Sequence, residues 1–190
     1  MSLAGSGAAL VVVDMQNVFA HAPSPWASPD YPTAIAGTRL LLPGFTGRVV
    51  YTRYVAPPVP EGAWVPYFEQ WPFALVPGDD PLYDIVDDLD PGAGPVVTAT
   101  TFGKWGPELD AATGGADELV LAGVSTDCCV LSTALAAADA GRRVRVAADA
   151  CAGASPQDHE RALDAMRLYA PLIDVTTVDA ILAERRAAAR

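Results

Sequence analysis

One stretch of this sequence decides its fold: Glu118-Leu119-Val120-Leu121-Ala122 leads directly into Gly123-Val124-Ser125-Thr126-Asp127-Cys128-Cys129-Val130. The first five residues form an apolar run without polar alternation, which predicts a strand buried on both faces of a sheet. Residues 127–140 are rich in Ala and Leu and predict a helix, which Gly141 ends. The stretch therefore places a cysteine at the start of a helix, just beyond the end of a buried strand.

A cysteine in this position is suited to nucleophilic chemistry. The backbone N–H groups and the positive end of the helix dipole favour thiolate over thiol. The same N–H groups are able to hold an oxyanion. We therefore expect a nucleophile with a lowered thiol pKa at this turn.

Apolar runs and helical segments alternate along the rest of the chain. Further strands are predicted at residues 8–13, 48–52, 94–99, 143–149 and 172–176. Helices are predicted at residues 33–42, 80–89, 107–113, 155–169 and 177–188. This alternation is typical of an α/β fold in three layers, a six-stranded mostly parallel sheet with helices on both faces. No internal repeat interrupts it, so residues 1–190 are expected to form a single domain.

Residues 54–95 differ in character from the remainder, and we call them the insert. Val55-Ala56-Pro57-Pro58-Val59-Pro60 excludes regular structure, and five aromatic residues follow between positions 64 and 73. A connection of this length in a compact domain is usually a lid, a binding loop or an interface. A subunit interface and a loop packed on its own aromatic residues are both compatible with the sequence.

Composition restricts the partners and the compartment. The net charge of −11 argues against nucleic acid, because contact with phosphates needs a basic surface. The longest apolar runs are too short to span a membrane, and no secretion signal is evident at the start of the sequence. Three cysteines, two of them adjacent, do not form a disulfide framework. We expect a cytoplasmic protein with a small-molecule partner and neither nucleic acid nor membrane as a partner.

Three chemically complementary residues each follow a separate predicted strand. They are Asp14, Lys104 and Cys129, and a parallel sheet would bring all three to its carboxyl edge. An ammonium near the thiol favours thiolate, and a carboxylate is able to take the thiol proton and deliver it to a leaving group. For Asp14 the lesser alternative is a structural cap on the following turn. From its position alone, Lys104 is a solvated surface charge. Neither His21 nor His159 is placed beside a strand end.

The sequence resembles the isochorismatase-like cysteine hydrolase superfamily, which includes nicotinamidases, N-carbamoylsarcosine amidohydrolases and ureidoacrylate amidohydrolases. Three blocks carry the resemblance: residues 9–17, the segment around Lys104, and residues 123–130 continuing to Ala140. Residues 149–152 with His159-Glu160 form a weaker fourth block. The resemblance extends over nearly the whole chain and fits the insert least.

This resemblance assigns roles to individual residues. It implies that Cys129 is the nucleophile, Asp14 the general base and Lys104 the catalytic lysine. It also implies a cis peptide bond between Val124 and Ser125, which turns the backbone N–H groups of Ser125 and Cys129 toward one oxyanion. The implied reaction is hydrolysis of an amide, ureido or carbamoyl compound through a thioester.

The remaining expectations concern the other cysteines, cofactors and assembly. Cys128 and Cys151 are expected to be buried and structural. No histidine occurs between His21 and His159, so the metal site of nicotinamidases is not expected, nor is any cofactor. The family's tendency to oligomerise implies a homo-oligomer.

Four residues are candidates for the substrate pocket, and two rival functions stay open. The pocket candidates are Phe19, Arg53, Trp64 and Trp71, and an Arg there would suit a carboxylate-bearing substrate. One rival function is an isochorismatase-type vinyl ether hydrolase, and another is a non-catalytic binding module. A nucleotide-binding protein is disfavoured because no Gly-x-Gly-x-x-Gly follows the first strand.

Overall fold

A single parallel sheet of six strands forms the centre of the molecule. A computed structural model describes residues 7–188, and its sheet has the order β3-β2-β1-β4-β5-β6. Every neighbouring pair of strands is parallel. The strands are β1 Ala9–Val13, β2 Val49–Tyr54, β3 Val96–Ala99, β4 Glu118–Val124, β5 Arg143–Ala152 and β6 Ile173–Thr176. The predicted six-stranded α/β architecture is confirmed.

Helices cover both faces of the sheet and complete the three layers. They are α1 Asn17–Ala20, α2 Tyr31–Leu41, α3 Trp64–Gln70, α4 Pro107–Ala112, α5 Leu131–Asp139, α6 Pro156–Arg167 and α7 Val178–Ala188. Strand β1 shows why its sequence is apolar throughout. Leu10 and Val12 pack into the core that contains side chains of α2 and α7, whereas Val11 and Val13 pack into the core beneath α4, α5 and α6. Both faces of this strand are buried, so polar alternation is absent.

Several predicted helix boundaries depend on identifiable caps. The Ser155 side chain accepts a hydrogen bond from the backbone N–H of Asp158, with Pro156 in the first helical position, as expected for the start of α6. Gly141 has φ +84° and follows the end of α5, as predicted. The helix predicted over residues 80–89 is wrong. Two short 3₁₀ turns, Pro81–Tyr83 and Asp87–Leu89, occur there, because the backbone between them is extended and its Asp84 and Val86 bond to residues 15–17.

The turn between β4 and α5 differs from the regular helix that the sequence predicts. Thr126–Val130 forms a π-helical turn, and the α-helix begins only at Leu131. Turns of this kind occur mostly at functional sites. Just before the turn, Gly123 has φ +121°, and a Cβ there would lie 2.1 Å from the carbonyl oxygen of Val13. A glycine is therefore required where β4 passes close to the end of β1.

The buried side-chain amide of Gln16 helps to join the insert to the sheet. The Gln16 side chain donates to the carbonyl oxygens of Tyr54, at 2.8 Å, and Tyr83, at 2.6 Å. Its Oε1 accepts from the backbone N–H of Tyr54 at 2.8 Å. The hydrogen bonds of this fully buried side chain thus join Tyr54, at the end of β2, to Tyr83 within the insert.

Candidate active site

The candidate site residues lie near the point where the strand order reverses, between β1 and β4. Strand β1 has β2 on one side and β4 on the other, so the connections leaving β1 and β4 go to opposite faces of the sheet. In open α/β sheets the crevice at such a point, at the carboxyl ends of the strands, is where ligands bind. Asp14 follows β1, and the turn that contains Cys129 follows β4.

Asp14 is a fully buried carboxylate held by its neighbour strand. Its φ is +48°, and it is the one non-glycine residue with positive φ among residues 7–188. The hydroxyl of Thr52, in β2, donates to Oδ1 of Asp14 at 2.6 Å. The same hydroxyl accepts the backbone N–H of Asp14 at 3.2 Å. These contacts fix the side chain at the carboxyl edge of the sheet.

Lys104 is the counter-charge of Asp14. Its Nζ lies 2.9 Å from Oδ2 of Asp14, and both side chains have no exposed surface. The ammonium also donates to the carbonyl oxygen of Thr101 at 2.5 Å, and it lies 5.3 Å from the ring centroid of Tyr54. A lysine in such a position is an internal ion-pair partner, and the surface alternative does not apply.

Cys129 completes this group, which we call the charged corner: Asp14, Lys104 and Cys129. Its thiol is almost fully buried, and its carbonyl oxygen accepts a hydrogen bond from Thr133 Oγ1 at 2.7 Å. The backbone N–H of Lys104 donates to the same hydroxyl at 3.0 Å. Thr133 therefore connects the helix that carries the cysteine to the loop that carries the lysine.

The protonation of Cys129 differs from the expectation drawn from the sequence. Burial raises the pKa of the thiol well above its usual range, and the negative charge of Asp14 raises it further. Lys104 lowers it, but a hydrogen bond from the thiol to Asp14 again favours the protonated form. The direction of this pKa shift is opposite to the lowering predicted from the sequence, because burial is the largest cause and the charge of Asp14 adds to it. Both causes favour the thiol over the thiolate in the resting site.

The peptide bond between Val124 and Ser125 is cis, at the position that the resemblance implied. The carbonyl oxygen of Ser125 accepts the backbone N–H groups of Cys128 at 3.2 Å and Val130 at 3.1 Å. The Ser125 hydroxyl donates to Asp127 Oδ1, which also accepts the backbone N–H of Ala154 at 2.8 Å. Ser125 and Cys129, the proposed oxyanion donors, thus lie on one ordered turn.

A cavity of about 190 Å³ opens beside this turn. Six aromatic side chains form what we call the aromatic wall: Phe19, Trp26, Tyr54, Tyr67, Trp71 and Phe102. The other lining residues are Pro25, Ala27, Ser125, Asp127, Cys128, Cys129 and Ala154. Cys129 is therefore part of both the charged corner and the cavity.

Two of the four predicted pocket residues line this cavity. Phe19 and Trp71 do, whereas Arg53 and Trp64 do not. Side chains alternate across a strand, so Arg53 points away from the face that Thr52 presents to Asp14. Trp64 lies outside the cavity and packs against Phe102, with ring centroids 5.2 Å apart.

The sequence interpretation missed most of the aromatic wall. Trp26 lies at its centre, with its ring centroid 6.0 Å from that of Phe19 and 5.1 Å from that of Phe73. Tyr67 and Trp71 are four residues apart, so helical spacing across α3 would have placed them on one face. The insert supplies this part of the wall, packed against its own chain.

The other two cysteines have different surroundings. Cys151 is buried, as predicted, and burial raises the pKa of its thiol to about 12. Cys128 is only half-buried and lines the cavity, so its predicted burial is wrong. Desolvation and the adjacent Asp127 raise the pKa of Cys128 to about 12.

Within residues 7–188, no three His, Cys, Asp or Glu side chains cluster closely enough to hold a metal ion. Over the same part of the chain, no helix combines the length and the apolar character needed to cross a bilayer.

Comparison with known proteins gives the family. The model of the isochorismatase domain matches residues 8–179, and the chain belongs to this family of hydrolases. Among curated protein sequences, none matches the chain significantly.

Solved structures support the same fold. A cysteine hydrolase from Pseudomonas syringae pv. phaseolicola 1448A is similar with a TM-score of 0.85 and 19% identity, over 96% of this chain and 94% of that one. An isochorismatase-like hydrolase from Alkaliphilus metalliredigens has a TM-score of 0.80 and 24% identity, over 94% and 98%. N-carbamoylsarcosine amidase from Thermoplasma acidophilum has a TM-score of 0.72 and 27% identity, over 91% and 97%.

Proposed function

We propose that this protein is a metal-independent cysteine amidohydrolase that cleaves a C–N bond of a small amide, ureido or carbamoyl compound through a thioester. The observation that carries the proposal is the buried ion pair of Asp14 and Lys104 beside the Cys129 thiol. Burying two charges and a thiol together is costly for stability, and such arrangements concentrate at catalytic sites. The likeness to N-carbamoylsarcosine amidase is in keeping with this chemistry.

The first step forms the thioester. The sulfur of Cys129 attacks the carbonyl carbon while its proton passes to Asp14, and the carbonyl oxygen becomes an oxyanion near the backbone N–H groups of Ser125 and Cys129. Asp14 then delivers the proton to the nitrogen as the C–N bond breaks, and the amine or ammonia leaves. The thiol proton passes directly from Cys129 to Asp14 during the attack. A thiolate in the resting enzyme is therefore not required, and a raised thiol pKa is compatible with this step.

The second step releases the acid. Water gives a proton to Asp14 and its oxygen bonds to the thioester carbonyl carbon. The C–S bond breaks, the sulfur recovers the proton from Asp14, and the carboxylic or carbamic acid departs. Lys104 stays positively charged throughout and balances whichever of Asp14 and Cys129 carries the negative charge.

The test is to trap the acyl-enzyme. Wild-type protein is incubated with a panel of small amides, quenched in acid and mapped by peptide mass spectrometry, with the released amine measured in parallel. We expect an acyl group on Cys129, removable by hydroxylamine, and turnover that EDTA does not change. Cys129→Ser is expected to lose at least about 10³-fold of the rate.

The adjacent cysteine supplies the matched control. Cys128→Ser changes a thiol one residue away that also lines the cavity, and it should keep the rate within a few-fold. Equal losses in the two variants, or turnover with no acyl group on Cys129, would contradict the thioester. Vinyl ether turnover that survives in Cys129→Ser would instead identify the vinyl ether hydrolase.

A further inference from the structure

We propose that the substrate carries a hydrophobic group and no carboxylate, an inference that rests on the proposed amide hydrolysis. The evidence is the composition of the cavity that leads to Cys129. No Lys or Arg occurs among its lining residues in the described part of the chain. The aromatic wall supplies most of the surface that a bound molecule would touch.

The charges near the cavity also argue against a carboxylate on the substrate. Lys104 is paired with Asp14 at 2.9 Å, so its positive charge is already neutralised. Asp127 is the one charged residue among those that line the cavity in the described part of the chain, and no ion pair to it occurs within residues 7–188. A carboxylate on the substrate would therefore meet a like charge and no cation beside this residue.

Asp127 keeps its negative charge available to the cavity. Its Oδ1 accepts from the Ser125 hydroxyl and from the backbone N–H of Ala154. Its Oδ2 has a thiol donor, Cys128, at 3.5 Å, and a thiol is a weak donor. Neither contact brings a counter-charge, so a carboxylate in the cavity would be desolvated without compensation.

This inference revises the expectation attached to Arg53. An arginine in the pocket would have favoured a carboxylate-bearing substrate. Arg53 lies outside the cavity. Substrate selectivity is therefore attributed to the aromatic rings and to one acidic residue, Asp127. The wall favours an aryl or branched alkyl group that packs against Trp26, Tyr67 and Trp71.

The experiment compares the binding of three amides of similar length. Hexanamide, adipamide and adipamate differ at the far end by a methyl, an uncharged amide and a carboxylate. Isothermal titration at pH 7.5 uses the Cys129→Ala protein, so that binding is measured without turnover. We expect hexanamide to bind at least about tenfold more tightly than adipamate, with adipamide between them.

Two variants in the same background test the cause of this selectivity. Asp127→Asn keeps an oxygen for Ala154 and removes the charge, and it should raise the affinity for adipamate several-fold while leaving hexanamide unchanged. Trp71→Arg introduces a cation into the wall and should reduce or reverse the preference. Melting temperatures of both variants establish that they are folded.

The outcomes separate this inference from the proposed function. Adipamate binding as tightly as hexanamide, or no binding by any of the three amides, would overturn the inference. Hydrolysis of adipamate by the wild-type enzyme would then leave the amidohydrolase proposal standing. Tight binding of hexanamide without hydrolysis of any amide by the wild type would keep the inference and refute the proposed function.

Discussion

The charged corner and the aromatic wall share Cys129 and the same edge of the sheet, yet they are built differently. The corner takes Asp14 from the end of β1, Cys129 from the turn after β4 and Lys104 from the loop after β3. The wall takes its rings from the α1 region, the loop before α2, the insert and the same loop after β3. The corner is fixed by its ion pair and by hydrogen bonds of Thr52 and Thr133, whereas the wall is formed by packing among connections.

The two regions also differ in how they are stabilised. The corner contains charges whose burial is tolerated because each has a partner. The wall consists of rings in mutual contact, such as Trp26 with Tyr54 and Tyr67, and gains stability from burial of apolar area. Substitutions in the corner should therefore be costly and non-additive, and those in the wall milder.

The largest effect is expected at the ion pair. Lys104→Met leaves a buried Asp14 carboxylate unpaired, which should lower the free energy of unfolding by about 3–5 kcal/mol and abolish turnover. Urea denaturation and an amide hydrolysis assay measure the two effects. The double variant Asp14→Asn with Lys104→Met removes both charges and should recover most of the stability without recovering activity. If the double variant is no more stable than the single one, the charges are not coupled.

A smaller loss of stability is expected for a substitution of Gln16, which bonds to Tyr54 of the wall. Gln16→Leu removes the amide that joins Tyr54 to Tyr83 and leaves buried backbone groups unpaired, at a cost of about 2–4 kcal/mol. The neighbouring Asn17 supplies the control. Its exposed side chain donates to Pro81 of the insert, so Asn17→Ala should cost less than about 1 kcal/mol. Similar losses of unfolding free energy in the two variants, measured by urea denaturation, would contradict a special role of Gln16 in joining Tyr54 to Tyr83.

Alkaline pH should destabilise the protein through its buried thiols. The pKa values of Cys129 and Cys151 are raised in the folded state, whereas an unfolded thiol titrates near about 8.5. Between these values the folded state binds more protons than the unfolded state, so stability is complete below the unfolded pKa and falls as pH rises. The slope approaches about 1.4 kcal/mol per pH unit for each thiol.

Thermal unfolding from pH 7 to 10 measures this slope. Cys151→Ala removes one thiol that does not line the cavity and should make the decline shallower, and Cys129→Ala should do the same in the corner. An unchanged slope in both variants would show that the thiols do not cause the loss of stability at alkaline pH.

The smallest effect is expected at a tyrosine of the wall. The Tyr54 hydroxyl is buried and has no hydrogen-bond partner, so Tyr54→Phe should leave stability unchanged or raise it by up to about 1 kcal/mol. Tyr83→Phe is the matched control, because its hydroxyl donates to the carbonyl oxygen of Ala74. That variant should lose about 1 kcal/mol or more. A loss in Tyr54→Phe as large as in Tyr83→Phe would mean that the Tyr54 hydroxyl has a partner.

The same contrast explains which parts of the molecule were predictable. Strands such as Ala9–Val13 are read from local apolar runs, and residues that follow parallel strands meet at one edge whatever the details of the loops. Asp14, Lys104 and Cys129 were therefore grouped before their distances were known. Trp64 was misplaced because the insert has no periodic pattern from which the direction of a side chain follows. Arg53 lies in β2, and the alternation of side chains along that strand would have excluded it.

The sequence by itself determined the layer architecture, the six strands and the grouping of the three residues of the charged corner, because these depend on local periodicity and on the geometry common to parallel sheets. Only the tertiary structure decided the protonation of Cys129, which depends on the burial of Asp14 and Lys104 beside it. It alone also decided the composition of the aromatic wall, because contacts such as Trp26 with Tyr67 join segments far apart in the chain. Long-range packing sets both the charge state and the shape of the site, and no local pattern encodes it.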